Sequence, residues 1–242
     1  MSRYRVVVAI SADAEWSSTK KILSPSNVDT SPYGECFAMD VGGEPILMFH
    51  GGWGKISAAA SAEHAIATWQ PQILINLGTC GGIAGRVQQG DKLLVTRTIA
   101  YDIHEGIGDQ DESIRAYTTD IDTAWVGDDF PVTVRRSLLV SADRDLIPSD
   151  VPDIVARYGA VAADWESAAI AYVARRRGIR LLILRAVSDL VDAERGEGEA
   201  IGNLALYQMR CDGVMQSLFE DLSRVVPFVL GRLGLLQSCA GK

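Results

Sequence analysis

An α/β fold is predicted by three features of the 242-residue sequence. Short aliphatic and β-branched runs recur along the chain. Helical segments separate them, and the runs are continuous rather than alternating. Continuous apolar runs mark strands covered on both faces, and regular strand–helix alternation marks helices layered on a largely central sheet.

The predicted strands occupy residues 5–11, 46–49, 73–77, 92–96, 138–141, 160–163 and 180–186. Helix 14–23 is short. Helix 55–69 is Ala-rich and lines up Ala58, Ala62, Ala65 and Trp69. Helix 165–177 begins acidic and ends in Arg175-Arg176-Arg177 before Gly178, a polarity that suits the helix dipole and a glycine cap. Residues 203–226 form the long last helix. There is no internal repeat, so 1–242 reads as one domain, long enough to bury a core without disulfide or metal. Residues 105–128, rich in Gly, Asp and Thr, read as a mobile loop of the functional or disordered kind.

With 23 Lys+Arg against 31 Asp+Glu the formal charge is −8, which argues against a nucleic-acid partner. Cys36, Cys80, Cys211 and Cys239 form no C-x-x-C pair, and His50, His64 and His104 are scattered. Neither a metal site nor a cofactor is expected. Free cysteines and the lack of a secretory leader point to the reducing cytoplasm. The apolar stretch 225–236 is broken by Arg232 and falls short of the ~20 residues of a membrane span.

Two Gly-rich turns are predicted after strands. Gly51-Gly52-Trp53-Gly54-Lys55 fails the Walker pattern, because Phe49 stands five before Gly54 and Ile56 follows Lys55. Gly78-Thr79-Cys80-Gly81-Gly82 has Cys80 where a dinucleotide fingerprint needs its second glycine. Both turns either bring a ligand close to backbone or are merely tight, and both lie at the carboxyl ends of strands, where open α/β sheets bind ligands. Glu15, Glu166 and Asp189 each follow a predicted strand. Singly they read as helix caps or dipole partners. Gathered at one sheet edge, carboxylates can activate water, protonate a leaving atom and steady a cationic intermediate without a metal.

These residues resemble the purine nucleoside phosphorylase/uridine phosphorylase superfamily, and within it the 5′-methylthioadenosine/S-adenosylhomocysteine nucleosidases. The resemblance is carried almost end to end by Ala12-Asp13-Ala14-Glu15, Gly52-Trp53-Gly54-Lys55, Asn76-Leu77-Gly78-Thr79-Cys80-Gly81-Gly82, Ala163-Asp164-Trp165-Glu166-Ser167-Ala168-Ala169 and Arg185-Ala186-Val187-Ser188-Asp189-Leu190-Val191-Asp192. It implies a three-layer α/β/α fold with a mixed central sheet, a homodimer, a small purine nucleoside substrate, and hydrolysis of the bond between adenine and a 5′-thio-substituted ribose.

Carried over by position, Asp189 would protonate adenine N7 and Ser188 would orient it. Glu15 would hold and activate water, and Glu166 would bind the ribose hydroxyls. Thr79, Cys80 and Gly81 would line the sugar and base, and Trp53 would touch the 5′ group. Trp165 replaces the methionine usual in relatives at a position that packs the sugar and base. The chemistry requires Asp189 to keep a proton and Glu15 to stay ionised, an opposition expected of such pairs.

The superfamily's phosphorylases carry an arginine where this chain has Asn76, and a Gly-rich phosphate turn where it has Asp13 and Glu15. Both differences favour water over phosphate. The alternatives are a phosphate-dependent phosphorylase and a nucleoside-binding protein without turnover. Trp53 is bulky and would shorten the 5′ pocket, favouring methylthioadenosine over the longer homocysteine adduct. A Cys80–His104 nucleophile pair is disfavoured. Arg185, Lys55 and the Tyr101–Asp102 pair read as structural. Tyr207 either covers adenine or packs in the core.

Overall fold

The computed structural model describes residues 4–234. In chain order the elements are β1 (Val6–Ile10), α1 (Asp13–Leu23), β2 (Asp29–Thr30), β3 (Glu35–Val41), β4 (Glu44–His50), α2 (Gly54–Trp69), β5 (Ile73–Ile83) and β6 (Lys92–Ala100). Then come α3 (Gln110–Ala116), β7 (Thr118–Asp120), a 3-10 turn (Ala124–Val126), β8 (Arg135–Ser141), α4 (Val151–Tyr158), β9 (Ala162–Asp164), α5 (Ser167–Arg177), β10 (Arg180–Asp192), β11 (Glu197–Gly198) and α6 (Leu204–Arg232).

The strands form one mixed sheet. β4, β1, β5 and β10 run parallel side by side, while β3 and β2 extend the far edge antiparallel. The near side curls over and closes, because β10 pairs with β6, β6 with β8, β8 with β9, and β9 returns to β5. β5 is thus the seam between an open sheet and a small barrel.

Burial on both faces explains the unbroken apolar runs. Val6, Val8 and Ile10 of β1 face one core with Leu218 and Val225 of α6, whereas Val7 and Ala9 face another with Ala58 of α2 and Ala171 of α5. β5 and β10 alternate the same way. Helices α1 and α6 therefore cover one face, α2 and α5 the other, giving the three expected layers.

Several expectations need correction. Gly78-Thr79-Cys80-Gly81-Gly82 is no turn: β5 runs through it to Ile83. Likewise Asp189 lies within β10, not after it. Strand pairing overrides the low strand propensity of Gly and Asp here. Segment 105–128 is not bare loop. It holds α3, capped by the Asp109 carboxylate, then β7 and the 3-10 turn, with Ile114, Ile121 and Val126 buried. Those apolar residues are too widely spaced to show a period. β3 and the short α4 also went unpredicted. The last helix continues through Pro227 to Arg232. Among the described residues no helix is long and apolar enough to cross a membrane. Cys239 and the end of the 225–236 stretch lie outside the described residues, while Cys36, Cys80 and Cys211 are buried and unpaired.

Candidate active site

The site sits where the seam strand changes partners. On one edge β5 pairs with β1 up to Asn76 and with β9 from Gly81. Between them Leu77 to Cys80 have no strand neighbour on that edge, and a cavity of about 900 Å³ opens there. It is lined by all nine residues singled out from the sequence: Glu15, Trp53, Thr79, Cys80, Gly81, Trp165, Glu166, Ser188 and Asp189.

Glu15 lies in the first turn of α1 and is 2% exposed. Its Oε1 accepts from the Thr79 backbone N–H at 2.5 Å and the Thr79 hydroxyl at 2.9 Å. Its Oε2 accepts from the Ala12 N–H at 3.3 Å. The Thr79 N–H is free for this because its strand edge is unpaired.

Behind Glu15 lies Arg185, a residue the sequence reads as structural, and its contacts agree with that reading. Arg185 is fully buried. Its Nη2 donates to Asn76 Oδ1 at 2.7 Å and faces Asp164 Oδ2 at 2.8 Å, and its Nε donates to Ser167 Oγ at 3.1 Å. Its Nη1 lies 3.8 Å from Glu15 Oε1 and has no hydrogen-bond partner. A signal was present: an arginine inside the apolar run Leu181 to Val187 must meet buried acceptors. Asn76 is fully buried, also donates to the Ala9 carbonyl at 3.1 Å, and does not line the cavity.

Gly78 makes room for this pair. A Cβ there would stand 1.9 Å from Arg185 Nη1 and 2.6 Å from Glu15 Oε1. Its missing side chain admits protein groups, not a ligand as the Gly-rich pattern suggested.

Glu166 stands at the N-terminal boundary of α5 with its carboxylate turned away from the helix, and its Oε1 accepts from the Gly54 N–H at 3.1 Å. Burial, reinforced by the Asp164 carboxylate and opposed by Arg185, raises its pKa. Asp189 follows a β-bulge at Ser188, where the β10–β5 register slips; such an extra residue re-aims the side chain after it. Burial raises the Asp189 pKa against the pull of Ser188 and Arg210. Ser188 Oγ lies 2.6 Å from Asp189 Oδ1 and 3.3 Å from the Cys80 carbonyl. The Ser188 hydroxyl donates to Asp189 Oδ1, so a protonated Asp189 carries its proton on Oδ2, free to be given to a ligand.

Trp53 is 61% exposed and is not core. Its ring meets Trp165 at 5.0 Å between centroids. Tyr207 lines the cavity, with its hydroxyl 3.2 Å from Thr79 Oγ1. Burial pushes the Cys80 thiol far above the range of a nucleophile, and His104 is exposed and absent from the cavity wall. Lys55 pairs with Asp102 and Asp143 outside the cavity, in keeping with a structural role.

Comparison with known proteins agrees with this architecture. The model of the Phosphorylase superfamily matches residues 6–220, so the chain belongs to that superfamily. The 5′-methylthioadenosine/S-adenosylhomocysteine nucleosidase of Halalkalibacterium halodurans is 23% identical over 97% of this chain and 100% of its own. The protein of the same name from Arabidopsis thaliana is 27% identical over 74% of this chain and 68% of its own. The solved structure of Arabidopsis thaliana 5′-methylthioadenosine nucleosidase in apo form shares the fold, with a TM-score of 0.77 at 24% identity over 96% of this chain and 99% of that one.

Proposed function

We propose that the protein hydrolyses the N-glycosidic bond of a 5′-substituted adenine nucleoside, of which 5′-methylthioadenosine is the best fit, and releases adenine. The observation that carries this is the convergence of Glu15, Glu166 and Asp189 on one cavity in three different environments. The names of the relatives support it.

In this reading Asp189, whose grip on a proton burial strengthens, delivers that proton to N7 of adenine, and Ser188 keeps the carboxyl aimed. The bond to the sugar then breaks toward an oxocarbenium-like cation. Glu15 accepts a proton from the attacking water, and Arg185 Nη1, 3.8 Å behind it, supports its negative charge. Glu166 binds the ribose hydroxyls through the oxygen lone pairs that Gly54 leaves unused. Thr79, Cys80 and Gly81 form the floor under sugar and base. Trp53 and Trp165 wall the 5′ end and set its length. No metal or organic cofactor enters the scheme. Asp13 and Glu15 at the cavity repel phosphate and suit water, which sets hydrolysis above phosphorolysis.

Residues 1–242 act as one domain in this reading. A second copy of the chain completes a homodimer over the exposed Ile56 and Ile107, and the buried free cysteines suit the cytoplasm. The test is adenine release from methylthioadenosine in phosphate-free buffer, repeated with added phosphate. Release without phosphate supports hydrolysis. Release only with phosphate makes the protein a phosphorylase, and binding without release leaves a nucleoside-binding protein.

A further inference from the structure

His50 ends β4, outside the cavity wall, and takes no part in the chemistry described above. Its surroundings are nevertheless built around it. The ring lies flat on Trp16, with centroids 5.5 Å apart and planes 9° from parallel. Trp16 is itself fixed, its indole N–H donating to Glu35 at 2.6 Å, and Lys20 donates to the same carboxylate oxygen. On the other side, a Cβ at Gly34 would stand 2.7 Å from the His50 carbonyl oxygen and 3.1 Å from Nδ1. Only glycine leaves that space clear.

Nε2 is 3.0 Å from the Ser11 carbonyl and 3.1 Å from Asp13 Oδ1. Both partners are acceptors, so Nε2 must carry the proton. The carbonyl is the stronger anchor, because the Asp13 side chain is 81% exposed and its charge is screened.

The two segments joined by this contact are the supports of two site carboxylates. Ser11 and Asp13 lead into the first turn of α1, which presents Glu15. His50 leads directly into Gly51-Gly52-Trp53-Gly54, which supplies Trp53 to the cavity and the Gly54 N–H to Glu166. We propose that His50 is a positioning residue, a clip between these two segments that fixes Glu15 relative to Glu166 through its Nε2–H bond to the Ser11 carbonyl. The inference rests on the roles proposed for Glu15 and Glu166. It goes beyond them in assigning their spacing to a side chain outside the cavity.

The test pairs His50→Ala with His50→Gln, whose amide N–H can replace the Nε2 donor. Misplacement of a reacting group by about 1 Å costs on the order of a hundredfold. His50→Ala should therefore lower kcat for methylthioadenosine by roughly ten- to a hundredfold and leave KM within about threefold. His50→Gln should recover most of the loss. A rise in KM at unchanged kcat, or a Gln variant as poor as Ala, overturns the clip.

Hydrogen exchange separates this outcome from failure of the functional reading. In His50→Ala the amides of residues 12–16 should exchange faster while those of β5 and β10 keep wild-type protection. If exchange at 12–16 is unchanged, the clip is wrong whatever the activity. If wild-type protein releases no adenine yet exchange at 12–16 rises in the variant, the clip stands and the nucleosidase reading fails.

Discussion

The inner and outer walls of the cavity are built under opposite conditions. On the inner wall Glu15, Asp164 and Glu166 are all buried, with Arg185 behind them, and each is held by hydrogen bonds or ion pairs across strands and helices. On the outer wall Trp53, Leu204 and Met209 are each more than 60% exposed. Buried charges out of water tolerate almost no loss of a partner, whereas exposed apolar rings can shift at little cost. On the proposed reading, the contrast assigns bond-breaking to the rigid side and choice of 5′ substituent to the adaptable side.

The largest effect that would break this division is loss of the acid. Asp189→Asn keeps the shape but has no proton to transfer, so kcat should fall by ~10²–10⁴ in a single-turnover assay of adenine release. Turnover at the wild-type rate would remove Asp189 from the mechanism. Next, Arg185→Met leaves Asp164 and Glu15 without their cation, which should cost ~3–5 kcal/mol of stability by denaturant titration. A loss under ~1 kcal/mol would mean that the inner wall is looser than its contacts imply.

Gly78→Ala pushes a methyl group into the Arg185–Glu15 contact and should cost ~1–3 kcal/mol along with most activity. The smallest expected effect is on the outer wall. Trp53→Leu should leave stability within ~0.5 kcal/mol, as befits an exposed site. It should raise kcat/KM for S-adenosylhomocysteine relative to methylthioadenosine by a few-fold, on the order of 1 kcal/mol. An unchanged ratio would show that Trp53 does not set the length of the pocket.

Proton linkage sharpens the same comparison. Burial raises the pKa of Asp189 and, with Asp164, that of Glu166. Above the ordinary carboxylate pKa of about 4 the folded chain thus holds protons that the unfolded chain has released. Stability from these two groups is full below that value and is lost as pH rises through their raised values. Asp189→Asn should flatten part of that alkaline decline, read as Tm against pH. A decline identical to that of the wild type would show that Asp189 is ionised in the fold. In the active enzyme the same ionisation should lower kcat on the alkaline side.

Much of the scaffold was legible because double-sided burial leaves a direct mark: Val6 to Ile10 and Leu181 to Leu184 are apolar at every position. All nine expected site residues line one cavity because their motifs appear in the order and spacing of a known superfamily. What stayed hidden depends on pairing across the chain. Nothing local tells that β5 continues through Gly78 to Gly82, since its partner strand lies a hundred residues on. The bulge at Ser188 is a register event with no sequence pattern. Arg185 looked like one more structural arginine because its acceptors, Asn76 on one segment and Asp164 and Ser167 on another, both lie away from it in sequence.

The seam at β5 also bears on how activity is acquired. It joins residues 73–83 to 180–192 and closes a ring through β6, β8 and β9. Such sequence-distant pairings form late and slowly. Glu15 and Thr79 meet through the β1–β5 pairing, but Glu166 and Asp189 join them only when that ring shuts, so neither half of the chain holds all the site carboxylates. During refolding, helical signal should return before any turnover does, and the first molecule of adenine released would mark a completed circuit of strands.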